Sequence, residues 1–369
     1  MNIINCKICL TPNTRPRVKF GEDGICNACH YKDEKNKINW DERKVELEEI
    51  CNKFRSKTND YDCIVPWSGG KDSSSIAYKL KFNHGMNPLL VTFSPLLPSK
   101  VGVQNRKNFL NLGFDNIYFY PNEKISKLLA NRFFIERGNP KVHWDAGINS
   151  LPIKVACEKN IKLVFYAEHG ESEYGGRVLN KDSDKIRNFE EVIENQIGDD
   201  PKNWASDEIN EVDLKPYIYP EISLIKEKKI TAYYYSYFEK WDIHKNYEFI
   251  KNKMEFIENN KRISGTFQNY DSLDDYIDPL YYYMQYIKFG FGRALRDASR
   301  LIRNNHLKRQ EGLQYVKSYD GEFPDVEFQA VLNYLNLSSE EFNEIIDKHR
   351  NDEIWEKSGN THKLKFEIK

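Results

Sequence analysis

A short apolar segment ends in a turn with two adjacent glycines, and helical spacing begins within that turn. Residues 61–67 have the composition of a strand, and the turn reads SGGKDSS over residues 68–74. Adjacent glycines let the backbone approach an anion closely, and the amides that open a helix face that anion with the positive end of the helix dipole. The pattern predicts a phosphate-binding turn between a strand and a helix. The kinase-type P-loop, Gly-x4-Gly-Lys-Ser/Thr, is excluded because the spacing differs.

Apolar segments alternate with helical segments between residues 40 and 167. The predicted strands are residues 61–67, 88–93, 116–120 and 161–167. The predicted helices are residues 40–57, 73–82, 101–112, 123–137 and 151–158. This alternation indicates right-handed crossovers and therefore an α/β fold with a parallel sheet covered on both faces. The glycine turn would follow the first strand at the carboxyl edge of the sheet, where open α/β sheets bind their ligands.

Four of the seven cysteines form two pairs near the N-terminus, with sixteen residues between the pairs. They are Cys6, Cys9, Cys26 and Cys29. Four thiolates at this spacing can close a tetrahedral zinc site, and the metal would supply the folding energy that such a small ribbon lacks. We predict structural zinc, because four sulfur ligands leave no open position. An iron–sulfur cluster is the alternative, and disulfides are disfavoured in a cytosolic protein.

The alternation of strands and helices stops near Pro216. We therefore predict three regions, a zinc ribbon over residues 1–39, an α/β domain over 40–215 and a mainly helical region over 216–369. The last region contains tyrosine runs such as residues 233–235. We interpret these runs as helix-packing surface, because a platform for nucleic-acid bases would be interleaved with basic residues.

Charge and hydropathy exclude two broad classes of partner. The formal net charge is -1, and residues 181–215 hold eleven acidic side chains against five basic ones. Such a surface repels phosphate backbones, so we expect no nucleic-acid partner. The N-terminus has no basic region followed by an apolar run, and no apolar stretch approaches the length of a membrane-spanning helix. We therefore expect a cytoplasmic protein without membrane insertion.

Acidic residues follow the fourth predicted strand. Glu168 stands at its end, Glu173 comes five residues later, and a glycine pair at residues 175–176 closes the segment. Because the carboxyl ends of parallel strands meet at one edge of a sheet, we expect both carboxylates to lie beside the glycine turn. The alternative interpretation is a polar surface loop.

These segments together resemble the N-acetyl sugar amidotransferase family, bacterial enzymes of surface-polysaccharide and nonulosonate biosynthesis. The turn is similar to the pyrophosphate loop of enzymes that split ATP into AMP and pyrophosphate. The cysteine pairs, Glu168 with residues 173–176, and the C-terminal blocks at residues 288–293 and 319–324 resemble the other motifs of the family. The resemblance covers nearly the whole chain, and the C-terminal blocks are its most specific part.

The resemblance implies a reaction in which a sugar acetamido group becomes an acetamidino group. ATP would adenylate the amide oxygen, and ammonia would then displace AMP. Lys71 would neutralise the leaving pyrophosphate, Asp72 would bind Mg²⁺, and Glu168 or Glu173 would position ammonia or accept its proton. The residues implied to bind ATP are Ser68, Gly69, Gly70, Lys71, Asp72, Ser73 and Ser74. Those implied to bind the sugar substrate are Tyr174, Lys288 and Arg293.

No nucleophile that could open glutamine is identifiable. The chain starts Met1-Asn2 rather than with a cysteine at position 2, and Cys51, Cys63 and Cys157 do not lie in glycine-flanked turns. The resemblance therefore implies a separate glutaminase subunit that supplies ammonia. Two other functions remain open, a tRNA thiolation enzyme, which would need a basic surface, and a non-catalytic ATP-binding scaffold, which would not need the glutamates.

Overall fold

Five parallel strands form the central sheet of the chain. The computed structural model describes residues 2–58, 60–178, 184–193, 198–359 and 361–369. The strands are β1 (Cys63–Pro66), β2 (Pro88–Phe93), β3 (Asn116–Phe119), β4 (Leu163–Tyr166) and β5 (Thr231–Tyr234). Their order is β3-β2-β1-β4-β5, and every neighbouring pair is parallel. The predicted α/β class with a parallel sheet is therefore confirmed.

The direction in which strands are added reverses between β1 and β4. Ile64 of β1 pairs with Val164 of β4, whereas β2 and β3 lie on the other side of β1. Open α/β sheets bind ligands in the crevice at such a reversal. The glycine turn follows β1 and the acidic segment follows β4, so the topology brings both predicted site segments to the same crevice.

Helices cover the sheet and form most of the C-terminal region. The helices up to β5 are α1 (Asn27–Lys35), α2 (Trp40–Phe54), α3 (Lys71–Tyr78), α4 (Lys100–Leu110), α5 (Glu123–Arg137), α6 (Val142–Lys159), α7 (Gly170–Tyr174), α8 (Phe189–Val192), α9 (Glu211–Leu214) and α10 (Ile222–Glu227). Those after β5 are α11 (Ile243–Lys251), α12 (Asp278–Phe289), α13 (Arg293–Arg303), α14 (Arg309–Tyr319), α15 (Phe328–Leu335) and α16 (Ser339–His349). A short π-helix at Lys79–Asn83, 3₁₀ turns at Pro201–Trp204 and Tyr235–Tyr237, and an antiparallel hairpin of β6 (Trp355–Ser358) and β7 (Thr361–Leu364) complete the described elements. Within the described ranges, none of these helices has the length and apolar character needed to cross a membrane.

Local sequence signals account for several helix boundaries. The side chain of Ser99 accepts a hydrogen bond from the amide of Gly102 at the start of α4, and Asn122 caps α5 in the same way. Ser338 forms a reciprocal capping box with Glu341 at the start of α16. These elements therefore begin where the sequence alone can indicate it.

Both faces of the sheet are buried, as the alternation of strands and helices predicts. Ile64 and Val164 pack on one face in a core that includes Phe133 of α5 and many side chains of α6. Val65 and Phe165, their neighbours in sequence, pack on the other face with side chains of α3 and α11. The alternation of side chains along a strand gives each face its own core. The sheet is thus a rigid base for the crevice at its carboxyl edge.

The sequence patterns do not predict the fifth strand. Tyr233 and Tyr234 pair in parallel with Phe165 and Tyr166 of β4, so the interpretation of this tyrosine run as helix-packing surface is wrong. The sheet therefore draws on residues from both sides of the boundary predicted at residue 215. Part of the acidic segment 181–215, namely residues 181–183 and 194–197, lies outside the described residues.

The cysteine region shares a hydrophobic core with the C-terminal helices. Its four cysteines and Leu10 are buried against Phe291 and against side chains of α13 and α14. The members from those helices are Leu295, Ala298, Ile302 and Val316. The small ribbon is therefore packed onto a larger body as well as closed by its own cysteines.

Candidate active site

A cavity of about 820 Å³ opens at the carboxyl edge of the sheet. Its walls include the glycine turn after β1, Glu168 after β4, Arg15 of the ribbon, and Asp271 and Arg296 of the C-terminal region. This volume lies in the range of natural ligand sites and is large for a single small ligand. All three regions predicted from the sequence contribute to one cavity.

The glycine turn packs closely against Arg106 and leads into the start of α3. Gly69 has a φ of 93°, and a Cβ at this position would overlap the side chain of Arg106. Gly70 is the N-cap of α3, and within the described residues no side chain caps the opening amides of this helix. Those amides are thus available to an anion in the cavity, which is the arrangement that phosphate groups require.

The serines of the turn have different environments. Ser68 and Ser73 line the cavity, and the hydroxyl of Ser73 lies 3.4 Å from the backbone nitrogen of Ser68. Ser74 is fully buried, and its hydroxyl accepts a hydrogen bond of 2.8 Å from the indole nitrogen of Trp67. Ser74 therefore holds the turn against the core, whereas the other two serines face the ligand space.

Lys71 is buried between two carboxylates. Its ammonium lies 2.9 Å from Oδ2 of Asp72 and also pairs with Oδ1 of Asp271. Burial alone would lower the pKa of Lys71, but the two carboxylates outweigh burial and raise it above its ordinary value. Lys71 is therefore a fixed positive charge beside the start of α3. Asp271 was not predicted from the sequence, because it lies 200 residues away in a loop with no motif of its own.

Asp72 faces the cavity with one partner on each carboxylate oxygen. Its Oδ1 accepts a hydrogen bond of 3.0 Å from the side-chain amide of Asn246, and its Oδ2 contacts Lys71. A quarter of the side chain remains exposed. A carboxylate oxygen has more than one lone pair, so this residue can still contribute a ligand to Mg²⁺ that is bound mainly by phosphates and water.

Glu168 lies on the opposite wall of the crevice. Its Oε1 accepts a hydrogen bond of 2.8 Å from the hydroxyl of Tyr174. Burial and the nearby Asp72 carboxylate raise the pKa of Glu168 to about 7. A carboxyl group with this pKa can exchange protons near neutral pH, which is what a general base requires.

Glu173 lies behind this wall and not among the cavity-lining residues described. Its Oε2 forms a buried ion pair of 2.6 Å with Lys35 of α1. The amide of Asn27 in the same helix donates a hydrogen bond of 2.8 Å to the carbonyl of Gly176. The segment at residues 173–176 therefore joins the ribbon to the sheet. Tyr174 connects this joint to the cavity through its hydrogen bond to Glu168.

The two cations predicted to bind substrate do not line the cavity within the described residues. The ammonium of Lys288 donates a hydrogen bond of 2.7 Å to the carbonyl of Arg137. Arg293 is almost completely buried, donates to the carbonyl of Asp271 at 2.5 Å, and lies 3.6 Å from Asp297. Arg293 therefore supports the loop that carries Asp271, whereas Lys288 anchors α12 to the end of α5.

Another part of the cavity is lined by acidic and aromatic side chains. Burial raises the pKa of Asp145 to about 7, and burial together with Asp278 raises that of Asp274 to about 6. Lys141 pairs with Asp278 and lies 3.9 Å from the ring centroid of Trp144. Carboxyl groups that are partly protonated near neutral pH can both donate and accept hydrogen bonds. This wall is suited to a ligand with hydroxyl groups.

The four cysteines of the ribbon form a compact cluster. Their Sγ atoms all lie within 4.8 Å of one another. Two of the separations are 3.8 Å between Cys6 and Cys29 and 3.5 Å between Cys9 and Cys26. A tetrahedral zinc with Zn–S bonds of about 2.3 Å has S–S edges of about 3.8 Å. The cluster could therefore hold a metal ion such as zinc.

The cluster also has a neighbouring cation and backbone donor. A guanidinium nitrogen of Arg303 in α13 lies 3.4 Å from Sγ of Cys9. The backbone amide of Cys26 donates to Sγ of Cys6 at 3.3 Å. Both contacts stabilise thiolate ligands, and the first ties the ribbon to the C-terminal region.

Comparisons with known proteins cover part of the chain. An uncharacterized protein of Methanocaldococcus jannaschii, MJ1599, is 31% identical to this chain over 106 residues. The aligned part makes up 28% of this chain and only 38% of that protein. Residues 264–367 match the family model of the C-terminal domain of WbpG-like LPS biosynthesis proteins. The region that supplies Asp271 and α13 to the cavity is therefore similar to a WbpG-like C-terminal domain.

Proposed function

We propose that this chain is an ATP-dependent, AMP-forming amidotransferase of the ATP-pyrophosphatase type, which converts a sugar acetamido group to an acetamidino group. The observation that carries the proposal is the cavity in which an uncapped helix start with Lys71 faces a carboxyl group, Glu168, poised to titrate near neutral pH. The similarity of residues 264–367 to an LPS-biosynthesis domain supports a sugar as the second substrate.

In the first step, the amide oxygen of the sugar attacks the α-phosphorus of ATP, and the bond to pyrophosphate breaks. The amides of α3 and the ammonium of Lys71 stabilise the charge that develops on pyrophosphate. Asp72 would hold Mg²⁺, and the ion would lower the charge of the phosphates further. Asp271 keeps the Lys71 side chain in position for this step.

In the second step, ammonia attacks the activated carbon, and AMP leaves with the former amide oxygen. The nitrogen must lose protons as the new carbon–nitrogen bond forms. Glu168, which lines the cavity after β4, would accept one, and Tyr174 orients it. Glu173 acts through the joint between the ribbon and the sheet, because its carboxylate is paired with Lys35.

The surroundings of the cavity are unfavourable to the thiolation alternative. The lining residues of the described cavity include no cysteine, and Cys51, Cys63 and Cys157 are each buried elsewhere in the core. A sulfur transfer would need a reactive thiol or a sulfur donor in contact with the activated carbon. A scaffold that only binds ATP would not need a carboxyl group with a raised pKa beside the turn. The pKa of Glu168 therefore favours a catalytic function over a scaffold.

The reaction can be tested by following the amide oxygen. We expect the isolated chain with ATP, Mg²⁺, ammonium and an acetamido sugar labelled with ¹⁸O in its amide to release AMP that carries the label. Mass spectrometry of both products checks the transfer, since the sugar must exchange that oxygen for NH. Candidate sugars should include nucleotide-linked acetamido sugars and nonulosonates. AMP without label, formed along with amidated sugar, would refute adenylation of the amide.

The nitrogen source gives a second measurement on the same system. The chain should form AMP with ammonium but, when glutamine is the sole nitrogen source, at a rate at least about a hundredfold lower, because a thiol nucleophile with a base would be needed to open glutamine. Addition of a glutaminase partner should restore the rate with glutamine. Equal rates from both nitrogen sources in a preparation free of glutaminase would show that no partner is required.

The proposed role of Glu168 predicts a pH dependence. Its pKa of about 7 means that the carboxyl group is protonated, and cannot accept a proton, below that pH. At a constant concentration of free NH₃, kcat/KM should rise about tenfold per pH unit below pH 7 and then level off. Glu168→Gln should lower kcat about a hundredfold or more and remove this limb. The exposed Glu158→Gln serves as control, and a limb retained in Glu168→Gln would assign the titration to another group.

A further inference from the structure

The face of α13 that looks toward the cavity and the ribbon is lined with arginines. They recur at intervals of three or four residues, as neighbours on one helix face do, and are Arg293, Arg296, Arg300 and Arg303. Their partners differ. Arg303 contacts Sγ of Cys9 in the cysteine cluster. Arg293 donates a hydrogen bond to the carbonyl of Asp271. The guanidinium of Arg300 lies 3.9 Å from the ring centroid of Tyr174. Arg296 is the member that reaches the cavity lining, where it donates to the hydroxyl of Tyr282.

The ribbon adds a further arginine to this group. Arg15 lines the same cavity, and its charge is opposed by those of Arg303, Arg300 and Arg296 and supported by that of Glu171. Burial and these three guanidinium groups lower the pKa of Arg15 to about 10. Within the described ranges, Arg15 has no carboxylate at ion-pair distance. Arg15 is partly buried, and a cation held among like charges is unfavourable unless an anion joins it.

The carboxylates nearby are already engaged. Asp271 forms an ion pair with Lys71. Asp297 accepts a hydrogen bond of 2.8 Å from Thr266. Glu171 forms an ion pair of 2.9 Å with Arg17. Side-chain nitrogens of Arg293 and Arg300 are buried without a hydrogen-bond partner in the described residues, and so is one oxygen each of Asp271 and Asp297. Arg296 therefore lies in the field of these two carboxylates, whereas Arg15 has no ion-pair partner among the described residues.

We propose that Arg15 of the ribbon and Arg296 of α13 form a clamp for an anionic group, a phosphate or a carboxylate, on the second substrate. Guanidinium groups bind both kinds of oxyanion through paired hydrogen bonds. The phosphates of ATP have a separate cation and helix start at Lys71, which leaves this clamp to the other ligand. The proposal rests on the proposed function in assuming that the cavity takes a second substrate beside ATP.

This assignment gives the ribbon a direct part in substrate binding. The cysteine cluster fixes a loop whose residue 15 enters the cavity, and the packing of the ribbon on α13 brings Arg15 to Arg296. The anion clamp therefore exists only in the assembled chain. Its residues differ from Lys288 and Arg293, the pair that the sequence indicated for this role.

The test measures binding, so it does not depend on turnover. The glycine turn is first saturated with α,β-methylene-ATP and Mg²⁺. Inorganic pyrophosphate and glucuronate are then titrated into this complex in separate calorimetric experiments. We expect at least one of the two probes to bind the wild-type chain, and that binding to weaken at least about tenfold in Arg15→Gln. Arg15→Lys should recover part of the affinity, because it keeps the charge but loses the fork of donors.

Lys19→Gln is the matched control, since it removes a charge from an exposed position of the same ribbon outside the cavity lining. It should bind both probes like the wild type. Metal content and melting temperature of each variant show whether the ribbon remains assembled. The proposal is overturned if neither probe binds the wild type, if all variants bind equally, or if Arg15→Gln weakens only the ATP analogue, which would place Arg15 on ATP. A failed amidation assay would leave these binding results unchanged.

Discussion

Replacing Lys71 with methionine should lower the rate of AMP formation by about a hundredfold or more. The ammonium that is lost faces the start of α3, where pyrophosphate would leave, and it is held there by two carboxylates. Without it, the carboxylates of Asp72 and Asp271 would lie near the departing anion without the ammonium between them. The loss should therefore exceed that of a single hydrogen bond. Pyrophosphate release under saturating ATP measures it directly.

The fold should survive this substitution. Asp271 also has Arg300 at 3.9 Å and the field of Arg296, so its buried charge keeps cationic neighbours. Lys81→Met is a matched control, because Lys81 lies in the π-helical turn that continues α3 and is outside the cavity lining. A double-mutant cycle with Asp271→Asn should be strongly non-additive if both residues act as one unit. Near-normal turnover in the folded Lys71→Met variant would remove Lys71 from the mechanism.

The parts of the fold that are predictable from sequence are those whose signals are local. The second strand and the helix at residues 123–137 have the predicted bounds, because caps and apolar periodicity specify them. The helix predicted over residues 151–158 in fact begins at Val142. Its first turns carry buried polar side chains such as Asn149, which pairs with Arg187, and Pro152 interrupts its interior. Contacts with residues distant in sequence stabilise that half of α6. A local sequence pattern cannot indicate such contacts.

The same distinction applies to the candidate site. The glycine turn is a continuous motif, and the topology of the sheet is enough to place Glu168 opposite it. Asp271 and Arg15 carry no motif, and they reach the cavity only because the C-terminal region and the ribbon pack together. One signal was available, since the arginines of residues 293–303 recur with helical spacing. That pattern indicates a charged helix face, but it does not reveal that the face is buried.

Loss of the metal should have the other large effect. We expect about one zinc per chain in protein purified without chelator, and Cys6→Ser should lose it, because three remaining thiolates cannot close a tetrahedral structural site. Structural zinc supplies much of the folding energy of such ribbons. The shared core with Phe291 and α13 would then be exposed on one side. Elemental analysis and thermal melting check these two consequences. Iron in place of zinc, or no metal at all, would refute the zinc assignment.

Cys6→Ser should affect ATP binding and turnover of the second substrate to different extents. The glycine turn is built on β1 and α3, so Cys6→Ser should still bind an ATP analogue with an affinity close to that of the wild type. Arg15 would no longer be held at the cavity, and the joint of Lys35 with Glu173 would loosen. Turnover of the second substrate should therefore fall far more than ATP binding. Cys157→Ser, a change at a buried cysteine outside the cluster, is the matched control. Equal losses of ATP binding and turnover in Cys6→Ser would instead show that the ribbon supports the whole fold and has no selective part in the second site.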